Sequence, residues 1–233
     1  MLVMAAFSVT TLVVGSFMLR ARPAWWRELD PADTALAARA LALENGLVSV
    51  LSAPRPAGTE WTAAINAADA SAWLVTRLPR WLASQAPDLP WPSEVKQVQV
   101  GFEGETVTIG AKLVRDGAEQ FLAVEIEPLI AGQGSLWTPA KTIDVGRLRL
   151  PAALILDGHG QPAAWGSRLV SERDVPANLR ELPQTAALAR ALAGEAPAVQ
   201  NASLRLQDGR RVRLLGVRAQ GGQLLLTCRT EPR

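Results

Sequence analysis

Residues 95–126 read VKQVQVGFEGETVTIGAKLVRDGAEQFLAVEI. Val98, Val100 and Phe102 alternate with Gln97, Gln99 and Gly101, the period of two that marks a half-buried strand. Glu103-Gly104 can turn the chain into Val107, Ile109, Ala111 and Leu113. Asp116-Gly117 is a tight-hairpin signal, because both residues tolerate the left-handed backbone such a turn needs. Leu122, Val124 and Ile126 then alternate with Ala123, Glu125 and Glu127. Successive hairpins of this kind predict an antiparallel sheet.

Downstream, Pro128–Ser135 reads as a loop and Leu136–Leu150 as one further strand, bent at Gly146. Residues 151–183 carry little periodicity. Leu182–Leu192 predicts a short helix. Two hairpin signals close the chain: Ala202–Leu206, Asp208-Gly209, Arg211–Ala219, Gly221-Gly222, Leu224–Arg229. In this tail Arg205, Arg210, Arg211, Arg213 and Arg218 alternate with apolar residues, which predicts one basic face, either solvated or set against an anionic headgroup or a partner.

Upstream, the period changes to that of helices. Asp30-Pro31-Ala32-Asp33 predicts a helix start, with Asp30 as cap and Pro31 in the first position. Leu36, Ala40, Leu43, Leu47, Val50 and Leu51 form its apolar row as far as Ser52. A Pro- and Gly-rich break follows. Trp61–Ile65 reads as a strand end. Asn66–Asp69 caps a second helix predicted to reach Leu78, with Ala70, Trp73, Leu74, Arg77, Leu78 and Trp81 on one face. Such a stripe is core by default; its alternative is an apolar ligand wall made by Trp73, Leu74, Leu78 and Trp81. Helices before a run of hairpins make the fold class α+β.

The first segment has a different character. Leu2–Leu19 is uncharged, and its 18 residues would rise about 27 Å as a helix, close to the thickness of a bilayer core. Arg20 and Arg22 follow, then Trp25 and Trp26, the cations and indoles expected at a membrane border. A cleaved signal peptide would carry a basic region first and a small-residue cleavage site after, and neither is evident. The expectation is a single-pass membrane anchor over residues 1–22. A juxtamembrane helix and linker (23–58), a helix-and-sheet unit (59–151) and a C-terminal unit of loop, short helix and hairpins (152–233) follow. Arg20, Arg22 and Arg27 after the span, taken literally, place the bulk of the chain in the cytoplasm. A start upstream of Met1 would add basic residues before the span and reverse that count.

Composition narrows the chemistry. The 233 residues hold 48% apolar and 20% charged residues, enough for a sizeable core and against global disorder. A net charge of +2 is too balanced for a dedicated nucleic-acid binder. One Cys (Cys228) excludes an intrachain disulfide and a Cys-clustered zinc site, and one His (His159) excludes paired-His metal sites. No metal or cofactor is expected.

Tests for catalysis come out the same way. Glu125 and Glu127 share a strand face, the usual wet side of an amphipathic strand. His159 sits in a Gly-rich turn with no nucleophile motif near it. Gly132-Gln133-Gly134 lacks the Lys-Ser/Thr of a phosphate loop. Cys228 reads as a small apolar filler. Asn201-Ala202-Ser203 matches a glycosylation sequon, a frequent chance match. The chain is not expected to be an enzyme.

One set of residues goes further. Trp61-Thr62-Ala63-Ala64-Ile65 leads into a capped helix with Ala72-Trp73-Leu74; the paired strands and Lys141-Thr142-Ile143-Asp144-Val145-Gly146-Arg147-Leu148-Arg149-Leu150-Pro151 follow. Over residues 60–151 and the anchor, this resembles the bacterial YpmS-like single-pass membrane proteins, with Ser71 where that family has Asn. The resemblance implies helices packed on a curved antiparallel sheet, related to tubular lipid-binding folds, in a family with no established enzymatic activity. It also implies an extracytoplasmic location, against the literal charge count, and binding of a lipid or other apolar ligand. The alternative is a structural or assembly protein of the cell envelope acting through protein–protein contacts.

Overall fold

The computed structural model describes residues 18–85, 91–132, 134–156, 183–206 and 208–232. The architecture is α+β with antiparallel sheets. The run 95–126 forms β2 (Val95–Glu103), β3 (Thr106–Arg115) and β4 (Ala118–Ile126). Asp116 and Gly117 take φ of 50° and 76°, as a two-residue hairpin turn requires.

The strand expected over Leu136–Leu150 is three pieces: β6 (Ser135–Trp137), β7 (Ala140–Val145) and β8 (Leu148–Pro151). Pro139, which has no N–H for a ladder, separates the first two; Gly146, at φ 61°, turns between the last two. The expected loop before them contains β5 (Leu129–Ala131), which pairs with β6. The first sheet runs β2-β3-β4-β7-β8.

A second sheet joins distant parts of the chain. β1 (Glu60–Asn66) pairs with β11 (Gln223–Glu231), so that Trp61 lies opposite Cys228. β10 (Arg211–Gln220) and β9 (Ser203–Arg205) complete the order β1-β11-β10-β9. The two sheets meet where Phe102, Val107 and Ile126 of the first bury Ala219 of β10, with Ile65, Leu192 and Leu224 packed around them.

Helix α1 (Thr34–Ser52) starts one turn later than expected. Asp30 closes a turn by accepting from Ala32 N at 2.9 Å, and Asp33 is the cap, accepting from Ala35 N at 2.8 Å. Two aspartates three residues apart offer the same capping chemistry, and Pro31 goes into the turn. The apolar row of α1 is as read. Leu36 and Ala40 bury against Ala72 and Val75 of α2 (Ala67–Thr76), which Asn66 caps. Arg39–Asp69 and Arg77–Glu44 pairs flank that contact. By length and composition α1 is long and apolar enough to cross a membrane. The expected anchor, Leu2–Leu19, lies outside the described residues except for Met18 and Leu19. The single helix expected from Asn66 to Leu78 ends at Thr76, and Leu78 opens α3 (Leu78–Gln85). Short helices α4 (Ala152–Ile155) and α5 (Pro183–Leu192) complete the elements among the described residues.

Candidate functional site

The four residues of the expected ligand wall divide between two helices. Trp73 and Leu74 belong to α2; Leu78 and Trp81 belong to α3. Trp73 packs against the Leu36–Ala40–Ala72–Val75 cluster, while Trp81 is 49% exposed. Their rings meet at 6.3 Å between centroids, tilted by 59°. The structure brings the two indoles together, one anchored in packing and one open to solvent. On the side of α2 toward β2, Ser71 replaces apolar contact with hydrogen bonds. Its hydroxyl donates to Val100 O at 3.1 Å and accepts from Val100 N at 3.0 Å. One short side chain thus satisfies both backbone groups of a residue on the outermost strand of the sheet.

The reading of Trp25 and Trp26 as membrane-border indoles is corrected for Trp26. It is 2% exposed and meets Phe121 edge-on at 5.3 Å. Trp25 leans on Trp26 at 5.6 Å. Gly110 makes this possible: a Cβ there would lie 2.5 Å from Trp25 Cη2 and 3.3 Å from Trp26 Cζ3. Beside the indoles, Gln99 Nε2 donates to Arg27 O, and Gln97 Nε2 donates to Leu29 O. Both glutamines are buried, at 5% and 3% exposed for Gln97 and Gln99. The polar row of β2 is therefore a docking row for the backbone of residues 27–29. Lys112 reinforces it, reaching Glu28 and Glu119 at 2.8 Å each; these carboxylates hold its ammonium above the usual lysine range, Glu119 foremost. Residues 18–29 thus form a strap along the first sheet, and at its far end Arg147 N donates to Met18 O at 2.8 Å, the Met18 carbonyl occupying the space a Cβ on Gly146 would need. A glycine in the middle of a strand pattern signals close approach of another group. Gly110 was the available clue to the strap.

Glu125 does not stand free on a wet face. It lines a cleft of about 280 Å³ beside Trp25. It lies 3.4 Å from Arg149 and accepts from Thr142 Oγ1 at 3.3 Å. Arg149 also grips Asp144 through two bonds of 3.2 and 3.3 Å, and that carboxylate pushes the guanidinium above its ordinary range. Such a closed network leaves Glu125 matched to a cation and a hydroxyl. Glu127 pairs with Lys141 at 2.7 Å. Cys228 is buried, and desolvation pushes its thiol up, away from the nucleophilic thiolate. Among the described residues no group of three His, Cys, Asp or Glu could hold a metal ion. His159 and Gln133 lie outside the described residues.

The basic tail is the other pronounced feature. Register places Arg205 opposite Arg211 and Arg213 opposite Arg229, and Arg218 opposite Leu225 keeps it on the same face. Arg210 departs from the expected row. It pairs with Asp208 at 2.6 Å and donates to Ser52 O and Ala53 O at 3.0 Å each, closing the end of α1. Arg229 joins the face instead, paired with Glu60 at 2.7 Å, and Arg213 pairs with Glu231 at 2.6 Å.

No protein-family model matches this chain, and no match was found to a curated protein or to a solved structure.

Proposed function

We propose that the chain is a membrane-anchored, non-catalytic envelope protein that works by holding another protein through its surface. Residues 2–19 supply a single span, and the bulk of the chain, with its helices against a curved sheet, lies outside the cytoplasm. The observation that carries the assembly role over ligand binding is the filling of the space beneath α2. Ala67 and Ala70 pack there against the Phe102–Val107–Ile126 core beside Val100, and Ser71 is bonded on both sides to Val100. An apolar ligand needs that space, whereas a contact protein needs a firm scaffold with groups left at its surface. Partners of this kind are proteins, with no nucleic acid involved.

Binding of a lipid-like ligand is the second reading, and the Trp73–Trp81 pair favours it. A half-exposed indole leaning on a packed one offers an apolar surface to an acyl chain. Native mass spectrometry of the full chain extracted in mild detergent separates the two. The assembly role predicts a complex with a protein partner and no retained lipid mass. A lipid adduct that survives activation, and disappears in Trp81→Ala, would put the second reading first.

A further inference from the structure

We infer that the end of the second sheet carries a docking groove for an acidic segment of a partner protein; this rests on the reading that the chain acts through protein contacts. An open groove of about 600 Å³ crosses the strand ends there, lined by Arg205, Arg211, Arg229, Thr230 and Glu231, with Gly58 beside them. The lining follows from the register. Arg205, Arg211 and Glu231 lie in one row across β9, β10 and β11, and Arg213, Arg229 and Glu60 lie in the next.

The charges in these two rows do not cancel. Glu60 pairs with Arg229 and Glu231 with Arg213. Arg205, Arg211 and, further along the same face, Arg218 have no ion pair among the described residues, and all three are exposed. Cross-strand like charges such as Arg205 and Arg211 repel one another. A carboxylate between them relieves that repulsion, and guanidinium forks suit carboxylates in a bidentate arrangement. The neighbouring Arg210 is committed to the end of α1 and holds the groove's rim in place.

The paired guanidiniums of Arg205 and Arg211, with the carboxylates of Glu231 and Glu60 beside them in the same two rows, favour the spaced carboxylates of an acidic protein segment over a uniform layer of headgroups. The strap leaves the first sheet at Leu29, and α1 begins one short turn later. The other end of α1 meets Arg210 at the groove, so a helix about 28 Å long separates the two places.

The test uses the full chain in nanodiscs of neutral phosphatidylcholine and a fluorescein-labelled oligoglutamate peptide, read by anisotropy. Wild type is expected to bind the peptide and to lose it as salt is raised. Arg205→Glu with Arg211→Glu should weaken binding by about tenfold or more, while Arg80→Glu with Lys96→Glu, the same change of charge elsewhere, should weaken it by less than about twofold. Circular dichroism confirms that each variant is folded, and Arg205→Gln with Arg211→Gln replaces the reversal if it is not. Absence of wild-type binding, or an equal loss in both double variants, overturns the groove. So does a wild type that ignores the peptide but binds phosphatidylglycerol vesicles through Arg205 and Arg211. A chain that proves soluble yet binds the peptide through these arginines would end the membrane reading and leave the groove standing.

Discussion

The side-chain amide of Gln99 donates to the carbonyl oxygen of Arg27, a residue 72 positions earlier, while Arg27 N points back to Gln99 Oε1 at 3.4 Å. This reciprocal contact makes the strap part of the first sheet's covering. Gln99→Ala leaves two backbone groups of a partly buried contact without this partner. The expected cost is about 1–3 kcal/mol, measured by urea unfolding of the chain lacking residues 1–22. A change under about 0.5 kcal/mol would mean that the strap detaches freely.

Gly110→Ala tests the same contact by steric means. The added methyl meets the Trp25 ring at 2.5 Å, too close for any real Cβ. Both indoles must shift, at about 1–3 kcal/mol. The near-ultraviolet tryptophan signal should change with it. An unaltered signal and an unaltered melt would place Trp25 elsewhere.

Truncation locates the N-terminal boundary of the folded unit. Deleting residues 1–22 removes the apolar run but keeps Trp25, Trp26 and the backbone of 27–29, so the product should melt cooperatively. Deleting residues 1–29 uncovers Gln97, Gln99 and Phe121, and its melting temperature should fall by about 6–12 °C or the transition should disappear, for a loss of about 3 kcal/mol or more. Equal melts would remove the strap from the fold.

The tryptophan pair separates packing from surface. Trp73→Ala opens the α1–α2 cluster and should cost about 3 kcal/mol. Trp81→Ala should cost about 0.5 kcal/mol or less, because half of that ring is already in water. Retained stability in Trp73→Ala, with fluorescent fatty acid binding lost, would return Trp73 to a ligand wall.

Lys112 gives a pH dependence. Its pKa is raised in the folded chain by Glu119 and Glu28, so the folded state holds this proton more tightly than the unfolded one. The contribution is complete below the ordinary lysine value of about 10.4 and is lost as pH rises through the higher folded value. Wild type should therefore lose stability faster than Lys112→Met at the alkaline end of a denaturation series. Parallel curves would show that the two carboxylates do not hold the lysine.

The hairpins of residues 95–126 were readable because strict alternation and Asp116-Gly117 leave few other structures open. The basic face was readable for the same reason, except at Arg210, whose carbonyl partners Ser52 and Ala53 come from a helix more than 150 residues earlier. Pairing of β1 with β11 left no local mark, since register across such a distance is set by burial of both strands together. The docking row on β2 was hidden by chemistry: glutamine in an alternating pattern is ordinarily the wet position, and only a backbone laid across the sheet makes it a buried one. Of the ligand wall, the common face of Trp73 and Trp81 was legible from helical spacing. The break at Arg77, which gives the two rings different surroundings, was not.

Alkaline carbonate extraction of membranes from cells making either the full chain or the chain without residues 1–22 bears most directly on membrane anchoring. The full chain should stay in the membrane pellet, and the truncated chain should move to the supernatant with its cooperative melt intact. A full chain released into the supernatant would contradict the anchor, and with it the place proposed for this protein.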